Sequence, residues 1–319
     1  MPKLPKLPNA INVSFNRSFV QAVQSFFDAC HENETTDPLS IVDGNGQSIL
    51  FMSVSWNDPD GLKTCLTNIS NYYGDDAANQ VASARDNRGH TPLFIAARSK
   101  KAEMIKALCV AGVDPNVQAQ TELISSDRTA LHEAVAGSAA SVTIPVLLEL
   151  GANPSLHDAH GNNPLHEAVC NYHSKAIEVM LGYFEKKISE YSDSPDLIAS
   201  DQQCLDEIDQ CMAMQNEDGQ TPLAAMSAKI KELQNRLGVD VPDGASPRLI
   251  EAIDSDSQKE SLKEALQQST VLQKRMDSFV TKLQDCLHNA SLNRSRSSSA
   301  NTSCESFSSD DTVPSNPKK

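Results

Sequence analysis

The sequence predicts an all-α solenoid: a stack of repeated helix pairs with a helical cap at each end and a disordered C-terminal tail. Three observations carry this expectation. A helix-start pattern recurs five times along the middle of the chain. Where a second amphipathic helix follows, it runs into a glycine. Long amphipathic segments flank the repeats, and a serine-rich stretch ends the chain.

The recurring segments are GNGQSILFMSV from Gly44, NRGHTPLFIAA from Asn87, SSDRTALHEAV from Ser125, AHGNNPLHEAV from Ala159 and EDGQTPLAAMS from Glu217. Aligned, they place Ser48, Thr91, Thr129, Asn163 and Thr221 in one column, at steps of 43, 38, 34 and 58 residues. These residue types cap helix N-termini by accepting a hydrogen bond from an orphan backbone N–H. Pro92, Pro164 and Pro222 follow directly, at the first helical position, where the missing N–H costs nothing. Two residues after the cap column stand Leu50, Leu93, Leu131, Leu165 and Leu223, the expected core. Two residues before it stand Gly46, Gly89, Asp127, Gly161 and Gly219, at a tight turn. Ser53, Ala96, Ala134 and Ala168 keep one helix position small, so that neighbouring helices can approach closely. The second helices, AEMIKALCV and SVTIPVLLEL, stop at Gly112 and Gly151, with Pro145 placed in a first turn.

Residues 1–16 read as a flexible arm, and 17–42 as an N-terminal cap whose helix puts Phe19, Val23, Phe26, Phe27 and Cys30 on one face. The repeats occupy 43–237, with a helical insertion near 185–214 that explains the longest step. From Glu185 to Asp218 this insertion carries ten acidic residues against two lysines. A C-terminal helical segment spans 238–292. Its helix, from about 257, repeats Leu262, Ala265, Ser269, Leu272, Met276, Phe279, Leu283 and Cys286 in a heptad, widened by Leu266, Val280 and Leu287. So wide a stripe predicts packing on the end of the solenoid, with homodimerisation through 257–290 as the alternative. Residues 293–319 are expected to be disordered.

A net charge of −15 argues against a nucleic-acid partner and against docking on anionic membranes. No run of 18 apolar residues is present to span a bilayer, and no secretory signal opens the chain. The eight cysteines are scattered and read as reduced thiols of a cytoplasmic protein. His132-Glu133 and His166-Glu167 begin a zinc-protease motif, but Ala136 and Cys170 stand where the second histidine belongs. The local cluster His157, His160, His166 and His173 is better explained by the repeat than by a metal. The expectation is therefore no enzyme, no cofactor and no metal site.

The run Gly89-His90-Thr91-Pro92-Leu93, then Ala96-Ala97, then Gly112-Val113-Asp114-Pro115-Asn116, resembles the ankyrin repeat, whose signature histidine is matched by His132 and His166. The resemblance covers roughly 44–225. It implies a protein-binding module that uses the turn tips and first helices of its concave face. By position these are the tips Asp43, Asp86, Asn87, Arg88, Asp158, His160, Asn216 and Glu217, and the helix positions Met52, Ile95, Arg98, Glu133 and Glu167, with Trp56 at the end of the first inner helix. The longer turn Gln118 to Asp127 adds contacts in this scheme. Few, degenerate repeats with an acidic helical insert are similar to type IV secreted effectors of intracellular bacterial pathogens. That resemblance implies a host protein as partner and delivery into host cytosol. A eukaryotic cytosolic or nuclear adaptor or inhibitor is the alternative, and an enzyme with an ankyrin targeting arm ranks third.

Overall fold

The computed structural model describes residues 28, 42–120, 127–137, 140–193, 199–237 and 256–304. The expected N-terminal arm and cap fall outside these, apart from Asp28, which is helical. The end of the tail beyond Cys304 also lies outside them.

Among the described residues the named elements are α-helices: α1 (Ile49–Trp56), α2 (Pro59–Tyr73), α3 (Asp75–Ala82), α4 (Pro92–Arg98), α5 (Ala102–Val110), α6 (Ala130–Ala136), α7 (Ala140–Glu149), α8 (Pro164–Cys170), α9 (Ser174–Asp193), α10 (Ala199–Ala213), α11 (Pro222–Leu237) and α12 (Asp256–Cys304). They pack as two rows. The inner row is α1, α4, α6, α8 and α11, each touching the next; the outer row is α2, α5, α7, α9 and α12. The step of 43 residues is accounted for by the extra helix α3, and the step of 58 by the length of α9 together with α10.

The cap column sets the inner helices. Thr91 Oγ1 accepts from the Phe94 N–H, Asn163 Oδ1 from His166 and Thr221 Oγ1 from Ala224. Ser48 departs from this pattern: its hydroxyl is buried and makes no bond, although its backbone is extended as a cap should be. Leu50, Leu93, Leu131 and Leu165 are buried, as are Ser53, Ala96, Ala134 and Ala168. The glycines of the turn column hold φ between 70° and 78° at Gly46, Gly89, Gly161 and Gly219. At Gly161 a Cβ would also come within 3.1 Å of the Asn216 Cα in the next turn, so both the backbone angle and the close approach require glycine.

A second left-handed position lies nine residues after the cap, where inner helix turns into outer helix: Asn57, Lys100 and Tyr172, at φ of 57°, 62° and 56°. In the last unit this position is Ile230, a β-branched residue that is strained at positive φ. The turn is not made, and α11 runs on for 16 residues. Among the described residues the fifth unit therefore has no outer helix of its own, and α12 takes that place. It lies against both α11 and α9, the places an outer helix would touch. Ser269, Leu272, Met276, Phe279, Leu283 and Cys286 are buried along this seam, Phe279 beside Phe184 at 5.9 Å between ring centroids. Arg275 clamps Glu185 of α9 with two hydrogen bonds, of 3.0 and 2.6 Å. The heptad face from Ser269 to Cys286 is thus covered within the chain.

Two further expectations are corrected. Pro145 sits inside α7, beyond its first turn, and the carbonyl it leaves free belongs to the exposed Ser141. The last helix ends at Cys304, not at 292, so the first part of the expected tail is helical. Neither Gly nor Pro occurs between Asp256 and Cys304, and serine, arginine and asparagine each cost a helix only tenths of a kcal/mol.

The columns make a graded stability prediction. Leu131→Ala or Leu165→Ala costs about 2–5 kcal/mol through the cavity left behind. Thr91→Ala, which loses a made cap bond, costs about 1 kcal/mol. Ser48→Ala, which loses none, costs less than about 0.5 kcal/mol. Urea midpoints of the four variants at unchanged slope measure the order.

Candidate functional site

The tips are built by a repeated local device. Asp43, Asp86, Asp158 and Asn216 each accept from two backbone N–H groups of their own turn, those two and four residues ahead, at 2.8–3.1 Å. Each turn is then closed by the same backbone bond: Asp43 N to Gln47 O, Asp86 to His90, Asp158 to Asn162 and Asn216 to Gln220. The third unit lacks the acid and closes from Ala119 N to Arg128 O across a longer loop. Neighbouring tips are stitched together: the Asn87 N–H donates to Asn45 O, Gln120 to Gly89 O and Glu217 to His160 O.

The signature histidines fix the stack from inside. His132 Nδ1 accepts from the Thr129 backbone N–H at 3.1 Å, while its Nε2–H donates to Asn162 O of the next unit at 3.0 Å. His166 repeats this with Asn163 and with Gln220 O, at 3.3 and 2.8 Å. One ring nitrogen accepts and the other donates, which defines a neutral imidazole. Burial pushes the pKa of His132 down to about 4, and that of His166 down as well.

The fourteen residues singled out by position sort into three groups. Asn87, Arg88, Arg98, His160 and Glu217 are exposed. Asp43, Met52, Trp56, Ile95, Glu133 and Asn216 are half-buried, with Trp56 and Ile95 packed against the core. Asp86, Asp158 and Glu167 are buried. The two aspartates are committed to their turns, and Glu167 is held by Arg128. Position in the repeat brings a residue to the right surface; it does not tell a side chain that folds the tip from one that projects beyond it.

Arg128 is the residue that sequence reasoning missed. It stands in the column just before the cap, with Gln47, His90, Asn162 and Gln220, so only the change to a long cation there marks it. Its Nη2 lies 3.2 Å from Glu133 Oε1 and 2.6 Å from Glu167 Oε1. Burial pushes the Glu167 carboxyl up, against the pull of Arg128. Four positions after the cap, the inner helices thus present Met52 and Ile95 in the first two units, then Glu133 and Glu167 around one guanidinium. Cys65, Cys109, Cys170, Cys211 and Cys286 are free thiols, and burial raises the pKa of each, Cys109 to about 11 and Cys65 to about 12. Cys204 lies half-buried against the core. Protonated thiols of this kind are poor nucleophiles.

Residues 11–119 match the family model described as ankyrin repeats, in three copies. The units beginning near 125 and 159 continue the same two-row stacking, and the fold is an all-α solenoid of stacked helix pairs. Among solved structures, the chain is similar to the ankyrin repeat domain of Bcl-3, described as a unique member of the IkappaB protein family. The similarity covers 65% of this chain and 76% of that one at 18% identity, with a TM-score of 0.43. No curated protein matches the sequence. Among the described residues, no helix is long and apolar enough to cross a membrane.

The buried histidine makes a pH prediction. His132 is neutral when folded, with a pKa of about 4, and has an ordinary value of 6.5 when unfolded. Above pH 6.5 neither state binds the proton and its contribution is whole; as pH falls from 6.5 toward 4 the unfolded chain gains protons first and stability is lost. Urea midpoints from pH 7.5 to 4.5 fall less steeply in His132→Gln than in the wild type.

Proposed function

We propose that this protein is a binding module for another protein, engaged by the inner-helix face and the tips beside it. The observation that carries this is the exposure pattern of the inner row. Leu50, Leu93, Leu131 and Leu165 and the small-residue column beside them are buried, while the column four positions after the cap keeps Met52, Ile95 and Glu133 partly open, next to exposed Arg98. A rigid, hydrogen-bonded row needs no backbone ordering when a partner binds, which removes one cost of association. Exposed Asn87, Arg88, His160 and Glu217 extend the surface along the tips.

The setting we favour is a secreted bacterial effector engaging a host protein; a eukaryotic adaptor or inhibitor is the competing one. The few-copy array and its acidic insert support the first. In the insert, Glu190 is paired with Lys187, and Asp206 and Glu207 accept from Gln202 and Gln203.

Reversing Arg88 and Arg98 to glutamate tests the surface. Both are exposed, so each substitution changes stability by no more than about 0.5 kcal/mol. Capture of the partner from host lysate weakens strongly, because like charges brought together at an interface are costly. Removing residues 293–319 leaves capture intact and, in the effector setting, abolishes export in a translocation reporter. Full capture by the double reversal with loss in the truncation would place binding in the tail.

A further inference from the structure

Resting on that reading of the inner face, we infer that Glu133, Glu167 and Arg128 form a socket for one more cationic side chain, a lysine or arginine of the partner polypeptide. The three groups belong to adjacent units. Glu133 and Glu167 occupy the same position of α6 and α8, and Arg128 reaches both through a single nitrogen, at 3.2 and 2.6 Å. Two carboxylates therefore share one guanidinium. Glu167 is 8% exposed, and its second oxygen, Oε2, is buried without a hydrogen-bond partner; so is Nε of Arg128. A buried carboxylate oxygen with no donor is an unmet demand for one, and a second ammonium or guanidinium supplies both the donor and the missing charge.

The opening of the socket is on the side of Glu133 and Arg128, whose side chains are 15% and 25% exposed. The ligand is an organic cation and not a metal ion: among the described residues no three His, Cys, Asp or Glu side chains converge as metal ligands. The acidic insert offers more charge, but its Glu185, Glu190, Asp206 and Glu207 are already met by Arg275, Lys187, Gln202 and Gln203. Ile95 stands one unit before Glu133 in the same column. Packed helices lie about 10 Å apart, a distance an extended chain covers in about three residues. The partner segment that fits carries an apolar side chain about three residues from its basic one.

The full chain, labelled with ¹⁵N, is titrated with N-acetyl-arginine amide and, separately, with the citrulline analogue, which replaces the guanidinium by a neutral urea of the same shape. Saturable shifts confined to amides of 128–133 and 163–168, given by arginine and not by citrulline, are the expected result. Glu133→Gln weakens the arginine response about tenfold, the usual scale for one charge-assisted hydrogen bond. Equal response to both probes, no response, or an arginine response spread over α10 and unchanged in Glu133→Gln overturns the socket. The citrulline comparison uses the wild-type chain and stands whether or not the variant folds. The titration contains no partner, so its outcome is independent of the Arg88 and Arg98 reversal: failure of the face shows in capture, and failure of the socket shows here.

Discussion

A pair of short helices cannot bury its own apolar faces, and every other feature of this molecule follows from that constraint. Each unit is finished by the next. Leu and Ala columns interlock along the inner row, the tips share backbone bonds, and each signature histidine holds its own helix start with one nitrogen and its neighbour's turn with the other. Where the pattern runs out, something else must complete it. Ile230 denies the fifth unit its turn, and α12 arrives from outside the repeat to fill the outer position.

Much of this was legible in the sequence because its determinants are local. A cap, a proline behind it, a glycine two residues ahead and a leucine two residues on are each chosen by backbone chemistry within one turn. The second left-handed position was not legible, because it is held by Asn57, Lys100 and Tyr172, which share no composition signal. Nor was the role of α12 as an outer helix: its stripe shows that it packs, but which surface it meets depends on residues some ninety positions away, such as Glu185 for Arg275. The tips were legible as a row, but not which of their side chains are spent within the turn. An aspartate that closes a turn and one that greets a partner look alike until the hydrogen bonds are seen.

The inner face changes character along its length. Its first two units present sulfur and hydrocarbon at Met52 and Ile95; its next two present carboxylates gathered around Arg128. Neutral histidines beneath keep the framework free of competing charge, since burial holds both imidazoles unprotonated. The face is thus apolar at one end and charged at the other, on a frame whose signature histidines carry no charge.

The docking of α12 also divides the molecule in time. Contacts within and between adjacent units are short in sequence and form quickly, whereas the clamp between Arg275 and Glu185 spans 90 residues. Closing that distance must wait until α9 and α11 offer a surface to close upon. Until then the faces of Phe184 and Met226 have no cover. The array is therefore zipped from its middle and latched at its end, and slow amide exchange in the central units can coexist with faster opening of the latch.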